Sequence, residues 1–371
     1  MDNYDGQPKQ EALLPESVFS GTRLINVPKL IKEITIILAI IYSVSAAYSQ
    51  NDGGGYAESY LLRDVGARAI SMAGAYTAIA NEPSAIFYNP AGLGFFNNQP
   101  SVMTMLTPMD LGRSQQAIAW GQSLFENFGI GIGFNSFYGG SFTARDVKGN
   151  IRGDYSAWSY EFLGAASYSI EFASVGFALK YLTDNLVGSQ TYANGYSMDI
   201  GMKFNVMDMF SFGISVKDFA GMMFWNTLEK TAESLPFSIR TGLAMEFALN
   251  QDSYQTRTNE EGELITEYIP STRFILVSMD AVYNQNEMSP KIVLGAEATL
   301  HEMVIFRAGI GLYGERDGIP QLFPMNTWGA GVSFRPKLQE LPFDVHIDYS
   351  VSNDKIAEVG LAHHISFMFE F

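Results

Sequence analysis

The sequence of 371 residues contains no cysteine and few charged residues. The absence of cysteine excludes disulfide bonds and thiolate metal sites. Charged residues account for 17% of the chain, against about 25% in a typical soluble domain, whereas hydrophobic residues reach 47%. The formal net charge of −16 argues against a nucleic-acid partner, because phosphates attract basic surfaces. The chain therefore has too little charge to cover an ordinary water-soluble surface.

Long apolar runs are also scarce, and the clearest one stands near the N-terminus. Residues 34–44 (ITIILAIIYSV) follow Lys29 and Lys32 and precede the small residues SAA. A positive stretch, a short apolar core and small residues form the pattern of a secretory signal. Eleven helical residues rise only about 16 Å, short of a bilayer core of about 30 Å. We expect residues 1–49, an upstream extension and a signal peptide, to be removed, with a signal anchor or a buried helix as the alternative.

After residue 100 the sequence alternates with a period of two. FGIGIGF at 128–134 and SVGFALKY at 174–181 place large apolar residues on one face and glycine, serine, alanine or charge on the other. A soluble sandwich would carry abundant Lys and Glu on its outer face. An outer-membrane barrel instead turns its bulky apolar residues to lipid and its small or polar residues to the lumen. Aromatic residues close to predicted strand ends fit the girdles of such a barrel: Trp120, Tyr138, Trp158 and Tyr168.

Fourteen segments show this alternation, an even number, as a bacterial single-chain barrel requires. A closed barrel leaves no unpaired strand edge in hydrocarbon. The first two segments are the weakest, so counts of twelve or sixteen also remain open. The predicted strands are Ser101–Leu106, Gln115–Gly121, Phe128–Phe137, Trp158–Tyr168, Ser174–Leu182, Tyr196–Phe204, Phe210–Lys217, Phe237–Phe247, Arg273–Val282, Lys291–Thr299, Val304–Leu312, Thr327–Arg335, Phe343–Ser350 and Leu361–Phe371.

The connections between these segments differ in length. Residues 139–157, 220–236 and 248–272 are long and polar, and we expect them to be loops on the outside of the cell. The third is the most acidic and least hydrophobic part of the chain. It reads as an exposed loop, with a calcium site as a less favoured alternative.

The polar faces of the predicted strands carry charges of both signs. We expect these charges to pair with one another and with a plug rather than to line an apolar conduit. They are Lys180, Asp199, Lys203, Lys217, Arg240, Glu246, Asp280, Glu297, Arg307, Arg335, Asp344 and Asp348.

Residues 66–93 (GARAISMAGAYTAIANEPSAIFYNPAGL) are almost all small or apolar. Helical propensity predicts a helix over Ala67–Ala80 that can pack closely against other backbone. Glu82-Pro83 would end the helix, and a turn would follow in which proline restricts Asn89 and Gly92 permits a reversal. The expected hatch residues are Gly66, Arg68, Met72 and Gly74 in the helix and Asn89, Pro90, Ala91 and Gly92 in the turn.

A small-residue helix and a rigid turn ahead of the first strand predict a plug folded into the lumen. The alternative is a segment that lies at the periplasmic mouth. The expected organisation is a hatch over residues 50–99 and a transmembrane barrel over residues 100–371.

The C-terminus reads HHISFMFEF. Ile365, Phe367, Phe369 and Phe371 share the predicted lipid face of the last strand. An amphipathic final strand that ends in Phe looks like the assembly signal read by the barrel insertion machinery.

The block at 66–93, together with "FGIGIGFNSF", "LPFSIRTGLAMEF" and the terminal "HHISFMFEF", resembles the PorV/PorQ family, a branch of the FadL-like outer-membrane barrels. The resemblance covers residues 62–371. It implies a fourteen-stranded barrel with Asn89, Pro90 and Ala91 in a hatch. It also implies one of two roles, namely type IX secretion, where the barrel receives exported cargo, or uptake of hydrophobic molecules.

No residues suggest catalysis. The four histidines stand in no Ser/His or metal-spaced motif, and no glycine-rich phosphate loop is convincing. We therefore expect an all-β, non-enzymatic protein of the Gram-negative outer membrane without cofactor or metal. Its expected partners are membrane lipid, the insertion machinery, and either secretion components with their cargo or a hydrophobic small molecule. The preferred reading is support of type IX secretion or surface attachment, and the alternative is a FadL-like channel for long-chain fatty acids or similar molecules.

Overall fold

The computed structural model describes thirteen stretches of the chain, and the predicted signal segment, residues 1–49, lies outside them. No helix in these stretches is long and apolar enough to cross a membrane. The described residues are 59–96, 99–125, 127–206, 209–227, 231–250, 253–258, 264–269, 272–285, 289–316, 319–323, 327–338, 341–353 and 360–371.

Fourteen antiparallel strands form one closed barrel. Each strand pairs with its neighbours in the chain, and the first strand pairs with the last, from Ser101 opposite Glu370 to Leu106 opposite Ile365. This closure confirms the predicted fold class and strand count. The barrel strands are β1 Ser101–Pro108, β2 Ser114–Phe125, β3 Phe128–Arg145, β4 Ile151–Ile170, β5 Ala173–Val187, β6 Tyr192–Val206, β7 Phe210–Trp225, β8 Ser238–Ala248, β9 Phe274–Asn284, β10 Lys291–His301, β11 Val304–Arg316, β12 Trp328–Phe334, β13 Asp344–Asn353 and β14 Leu361–Glu370.

Strands β3 to β7 are longer than the sequence predicts. The predicted loop 139–157 is mostly a ribbon, because β3 runs to Arg145 and β4 begins at Ile151. The predicted loop 220–236 holds the end of β7 and a short strand, Ala232–Ser234, that pairs with it. Both predictions were wrong because backbone pairing continues where the contrast between apolar and polar faces fades.

The two ends of the barrel differ in their connections. We call the end where β1 begins and β14 ends the termini rim, and the opposite end the loop rim. Several turns at the termini rim are short, as at 171–172 and 302–303. The exceptions are the nine-residue connection 335–343 and the segment 249–273, which contains the hairpin of Ser253–Thr258 and Leu264–Ile269. The acidic segment 248–272 therefore lies beside the chain ends, and its predicted place among the outer loops was wrong.

The described residues 59–96, which we call the hatch, fill the lumen. Their only α-helix is α1, Ala67–Ser71, which is much shorter than the predicted helix Ala67–Ala80. The helix ends early because Ala73 (φ 55°) and Gly74 (φ 83°) turn the chain into the left-handed region. The rest is turns and 3₁₀ segments, and another 3₁₀ turn follows β1: Ser59–Leu62, Pro83–Phe87, Pro90–Phe95 and Asp110–Gly112.

The core of the molecule lies between the hatch and the inner wall. Tyr76, Ile86 and Leu93 of the hatch are buried in one cluster with wall residues such as Met103 and Leu163. The outward face, by contrast, exposes large apolar side chains from strand after strand: Ile118, Ile132, Phe162, Leu179, Phe306, Ile310, Ile365 and Phe367. The barrel thus has apolar residues outside and a second packed layer inside, as a hydrocarbon surround requires.

Candidate functional site

The interface between the hatch and the wall is built around inward-facing glycines. A Cβ at Gly242 would stand 2.8 Å from the Ala78 nitrogen, and one at Gly309 would overlap the backbone of Met72 and Ala73. The wall can therefore approach the hatch backbone only where it carries no side chain. Six glycines from six strands lie against hatch backbone in this way: Gly129, Gly176, Gly213, Gly242, Gly309 and Gly329.

Arg68 of α1 anchors one side of the hatch to the wall. Its Nε and Nη2 atoms donate to the Glu297 carboxylate of β10 at 2.9 and 3.3 Å. The same carboxylate accepts from Arg307 Nε at 2.6 Å, and Arg307 Nη1 donates to Asp348 at 2.7 Å. Arg68 also reaches back to Glu82 within the hatch at 3.4 Å. These five buried groups form one charge network that joins the plug to three strands.

A second set of wall charges holds the turn that follows α1. The Asp280 carboxylate accepts from the Tyr76 nitrogen, the Thr77 nitrogen and the Thr77 hydroxyl at 3.1, 3.0 and 2.6 Å. Arg240 donates to the Gly74 carbonyl at 2.6 Å and to the Thr77 hydroxyl at 3.3 Å. An acid and a base on neighbouring strands thus bind the same hatch turn, the acid through its backbone N–H groups and the base through a backbone carbonyl.

Lys203 and Asn89 form the third polar contact. Lys203 Nζ donates to the Ala80 carbonyl at 2.8 Å and lies 5.4 Å from the centre of the Phe95 ring. The Asn89 side-chain amide donates to the Thr77 carbonyl of the hatch and to the Met202 carbonyl of β6, both at 3.0 Å. One asparagine therefore bonds the hatch to itself and to the wall.

The predicted hatch turn takes a different form in the structure. Asn89 caps the 3₁₀ segment Pro90–Phe95 by accepting from the Ala91 nitrogen at 3.2 Å. Gly92 lies inside this segment rather than at a chain reversal. It is needed for packing, because a Cβ there would stand 2.9 Å from the Ala85 Cβ. The predicted reversal at Gly92 was wrong, since proline at the first helical position starts a helical turn.

The predicted helix residues also separate into different roles. Gly66 (φ 91°) precedes α1, and Met72 follows it. Gly74 (φ 83°) stands outside the helix, so it is not a glycine tolerated within one. Only Arg68 of the four lies in α1 itself.

A further buried charge cluster joins side chains of four wall strands, β4 to β7. Lys180 Nζ lies 2.9 Å from Asp199, 2.8 Å from Asp218 and 3.5 Å from Glu161. The sequence analysis named Lys180 and Asp199 but missed Asp218 and Glu161. Glu161 could have been found, because it lies two residues before the inward-facing Leu163 on β4 and therefore on the same face of the strand.

Asp218 could not have been found by alternation, because β7 bulges there. Asp218 (φ 58°) and Ala220 (φ 53°) have left-handed backbone, and the register to β6 shifts twice. Extra residues at a bulge re-aim side chains. The bulge turns Asp218 inward directly after Lys217, where strict alternation would turn it outward.

The remaining predicted residues lie at the termini rim. Glu246, predicted as a lumen charge, is exposed near the end of β8. Ile365, Phe367 and Phe369 face outward on β14, and Phe371 follows the strand. The Phe343 ring lies 6.0 Å from the Phe369 ring and 5.3 Å from the Phe371 ring. The assembly-signal role of these residues stays a prediction.

At the loop rim an apolar cluster closes over the start of the hatch. Leu182, Met223 and Leu235 are buried together with Ala193, and Leu61 of the hatch packs against them. Leu235 belongs to the β7–β8 connection, and its nitrogen donates to the Gly221 carbonyl at 2.9 Å. This connection therefore bends into the lumen and meets the hatch.

One histidine lies in a polar cluster that the sequence analysis did not foresee. His364 Nδ1 lies 2.8 Å from the Thr107 hydroxyl, and its Nε2 lies 3.0 Å from the Ser352 hydroxyl. The adjoining hollow, next to Arg63 and Asp64, measures only about 20 Å³, which leaves no room for a substrate. Within the described stretches, no group of three or more His, Asp or Glu residues could hold a metal ion.

At the tip of the β3–β4 ribbon a fixed turn stands outside the membrane-spanning segments. The Asn150 side-chain amide donates to Asp146 at 3.1 Å, and the nitrogens of Lys148 and Asn150 donate to the same carboxylate. These hydrogen bonds lower the pKa of the Asp146 carboxyl. Val147 is fully exposed beside it, so the ribbon ends in a rigid turn with an apolar tip.

No protein-family model and no curated protein matches the chain. Solved structures do. The Pseudomonas putida toluene transporter TodX is 10% identical, covers 83% of this chain and 98% of its own length, and gives a TM-score of 0.52. The Ralstonia pickettii toluene transporter TbuX (14% identity; 84% and 98%; TM-score 0.45) and a Pseudomonas aeruginosa FadL homologue (10%; 82% and 97%; 0.45) are also similar.

The likeness to TodX concerns the fold alone. It shows that the closed fourteen-stranded barrel has the same fold as that solved structure. The outward apolar face and the packed lumen agree with that architecture. The PorV/PorQ branch named in the sequence analysis is a narrower assignment than this likeness supports.

Proposed function

We propose that the protein is a hatch-gated outer-membrane channel for hydrophobic small molecules. The observation that carries this proposal is the construction of the lumen, in which a separate segment of small residues fills the barrel and one chain link, residues 97–100, joins it to β1. The wall forms a complete hydrogen-bonded ladder without the hatch. The hatch can therefore move while the barrel stays closed on itself.

The contacts that hold the hatch suit a reversible element. Arg68, Asp280, Arg240 and Lys203 make hydrogen bonds that water can replace once the hatch shifts. Net contributions of single hydrogen bonds are modest, about 1.5–3 kcal/mol each when a charged group takes part. These contacts keep the lumen closed at rest together with the buried apolar cluster between the hatch and the wall, and the polar contacts can be exchanged for water one by one. A hatch held by a continuous strand ladder would lack this property.

The loop rim and the similar solved structures indicate the class of substrate. The apolar cluster around Leu61 and Leu235 is where a molecule arriving from the loop rim would first meet the hatch. In bacterial barrels the short turns face the periplasm, which puts the loop rim outside the cell. TodX and TbuX are described as toluene transporters, so an apolar aromatic molecule or a fatty acid is the appropriate probe.

A cysteine latch tests this function, and the absence of native cysteine makes the experiment clean. Ser366 Oγ lies 2.9 Å from the Ala67 nitrogen, so the pair Ala67→Cys and Ser366→Cys places two thiols within reach of a disulfide or a short bis-thiol cross-linker. We expect oxidised protein in cells to take up labelled toluene and oleate no faster than a deletion strain. Reduction should restore uptake, because the hatch regains its freedom.

A matched control places the same bond within the wall. Cysteines at Gly139 and Ala157 join β3 to β4, where the two Cβ positions are 3.1 Å apart. This pair should leave uptake unchanged in both redox states. Full uptake with the Ala67–Ser366 latch closed would show that the hatch does not gate a channel.

Support of protein secretion or surface attachment is the second candidate, and the β3–β4 ribbon favours it. The ribbon rises beyond the aromatic pair of Tyr138 and Trp158, whose rings are 4.5 Å apart, and β2 begins only at Ser114 opposite Tyr138. Seven residues of β3 therefore stand past the end of β2, about 23 Å at 3.3 Å per residue. Such a ribbon could receive exported cargo at the cell surface.

Deleting the gene distinguishes this candidate from the channel. Under the secretion reading, surface levels of exported proteins that carry type IX targeting domains should fall strongly, and the loss should be reproduced when residues 140–156 alone are removed. Immunoblots of surface-shaved and whole-cell fractions measure it. Normal surface cargo together with lost toluene or oleate uptake would leave only the channel.

A further inference from the structure

The β3–β4 ribbon, which stands past the end of β2, has two unlike faces. Tyr155 lies on the same face of β4 as Glu161 and Leu163, because every second residue of a strand shares a face. Glu161 and Leu163 are buried inside the barrel, so this face of the ribbon turns towards the mouth of the lumen. Phe142 of β3 lies opposite Tyr155 and belongs to the same face. The ribbon therefore turns two aromatic rings towards the mouth.

The opposite face of the ribbon is polar. The Thr143 hydroxyl donates to the Asp154 carboxylate at 2.8 Å, and Ser141 lies opposite Ser156 in the sheet. These residues alternate with the two aromatic residues along the strands. A ribbon with water on both sides would gain nothing from such a contrast. The contrast therefore indicates that the mouth-facing side binds something apolar.

The two rings border a small flat surface. Their centroids are 6.1 Å apart, their planes differ by 19°, and the Phe142 side chain is 49% exposed. Towards the tip of the ribbon the next pair on this face is Ala144 opposite Gly153. Among the described residues, a Cβ at Gly153 would meet only the Tyr155 Cε2 atom, at 3.7 Å. Phe142, Ala144, Gly153 and Tyr155, which we call the ribbon shelf, thus form an open surface with rings at one end.

Deeper in the mouth the same face carries a second flat aromatic contact. Phe137 of β3 lies opposite Ser159, which shares its face of β4 with Tyr155. The Phe137 ring stacks with the Tyr60 ring of the hatch, with centroids 6.5 Å apart and planes within 6°. The Tyr60 hydroxyl donates to the Tyr160 carbonyl at 3.1 Å, which fixes the Tyr60 ring. A molecule that leaves the ribbon shelf towards the lumen thus meets a stacked pair of which one ring belongs to the hatch.

Both arginines of the ribbon are bound at its turn. Arg145 Nη1 donates to the Gly149 carbonyl at 3.0 Å, and Arg152 pairs with Asp146 at 3.0 Å. The ribbon shelf itself has no charged side chain. It therefore offers flat apolar contact but no partner for a carboxylate, which favours an uncharged aromatic molecule over a fatty acid.

We propose that the ribbon shelf is an outer binding site for flat, uncharged aromatic molecules, which stack on Phe142 and Tyr155 before they reach the hatch. Aromatic rings gain from offset stacking and edge-to-face contacts with one another, whereas an acyl chain gains only the burial of its surface. An acyl chain also loses more conformational freedom when it is held on a flat surface. The inference rests on the proposed channel function for its purpose, but the binding does not require the hatch to move.

The size of the ribbon shelf disfavours a protein occupant. Two residue pairs on two strands cover on the order of 100 Å², at about 3.3 Å per residue and about 4.8 Å between strands. A specific protein contact needs about 800 Å² on each partner. An exported protein docked at the ribbon would therefore rest mainly outside the shelf, whereas a single aromatic ring matches it in size.

The test is photolabelling of the purified protein in lipid nanodiscs. The probe is phenyl(trifluoromethyl)diazirine, an apolar compound that light converts into a reactive carbene. Mass spectrometry of the peptides compares labelling without a competitor, with toluene, and with oleate at the same free concentration. We expect toluene to suppress the labelling of residues 140–156 and oleate to leave it unchanged.

Four double variants assign the effect to the rings. Phe142→Ser with Tyr155→Ser should lose the labelling that toluene suppresses, whereas Phe142→Tyr with Tyr155→Phe keeps both rings and should retain it. Phe142→Leu with Tyr155→Leu keeps the shelf apolar but removes the rings, so the preference for toluene over oleate should disappear. Ser141→Ala with Thr143→Ala changes only the polar face of the same ribbon and should behave as the wild type.

The hatch latch separates this inference from the channel function. In the oxidised protein with Ala67→Cys and Ser366→Cys, labelling that toluene suppresses should persist, because the ribbon shelf lies outside the hatch. Normal uptake through the latched protein would overturn the channel and leave the binding site standing. The binding site is overturned if toluene suppresses no labelling at residues 140–156, if oleate protects them equally, or if the serine variant keeps the effect. A bound exported protein that protects these residues in cells while toluene does not would also overturn it.

Discussion

Replacing Glu297 by alanine is expected to lower the free energy of unfolding by about 3–5 kcal/mol. The Glu297 carboxylate accepts from Arg68 of the hatch and from Arg307 of the wall, and all three side chains are buried. Without this carboxylate the guanidinium groups of Arg68 and Arg307 face each other in the lumen. Arg68 then keeps only Glu82 as an acidic partner, at 3.4 Å, and Arg307 keeps only Asp348, at 2.7 Å. The measurement is urea unfolding of protein folded in detergent, followed by the mobility shift of folded barrel on gels.

Two variants make the result interpretable. Glu297→Gln keeps the size of the side chain and one acceptor oxygen, so its loss should be smaller than that of Glu297→Ala. Glu302→Ala removes an acid that pairs with Lys337 on the exposed surface, and it should leave the unfolding midpoint unchanged. A Glu297→Ala protein as stable as the Glu302→Ala protein would mean that the network contributes nothing to holding the hatch.

The barrel strands could be predicted because the membrane imposes a sharp two-sided contrast. In SVGFALKY, for example, Val175, Phe177 and Leu179 are exposed on the outside, while Gly176 and Ala178 are buried against the interior. Every predicted strand overlaps one strand of the barrel. The strand ends at the loop rim could not be predicted. Beyond Tyr138 both faces meet water, and a stretch such as SFTAR then resembles a loop even though its backbone is paired.

The conformation of the hatch lay beyond the sequence because the wall determines it. Alanine-rich residues after Ala67 favour a helix, yet the helix ends at Ser71. The Gly74 carbonyl turns to Arg240 instead of staying in a helical ladder. Long-range partners of this kind override propensity, and a pattern of local residue types contains no information about them.

Among the charges, alternation predicted most of the residues that face inward, with Asp218 missed and Glu246 wrongly included, but not which ones meet. Lys180, Asp199, Arg240 and Arg307 all face the lumen, as expected from their strands. Their grouping into separate networks depends on strand order around a closed barrel, which places Glu297 beside Arg307 and Asp280 beside Arg240. A contact between residues two strands apart, such as that of Arg307 with Asp348, depends on the register of the strands, and only the structure supplies that register.

Replacing Gly309 by alanine is expected to open the barrel. The new Cβ would overlap the carbonyl carbon of Met72 and the nitrogen of Ala73, which are backbone atoms that no rotamer change can move away. The hatch turn that supplies the Gly74 carbonyl to Arg240 would have to leave the wall. Over-packing of this kind costs about 1–3 kcal/mol, comparable to one of the polar contacts that hold this turn against the wall. We expect discrete conductance steps in planar bilayers, where the wild type conducts little, and faster proteolysis of residues 59–96.

The same substitution at Gly121 separates a displaced hatch from a damaged wall. Gly121 also faces inward, but a Cβ there would meet ring and methyl atoms of Phe96 and Leu93, which can rotate aside. The Gly121→Ala protein should therefore stay closed, with wild-type conductance and protease resistance. If both variants stay closed, the glycines are not what lets the hatch seat against the wall. If both open, the hatch is held too weakly for its position to depend on any single backbone contact, and gating would have to reside in the loop-rim cluster around Leu235.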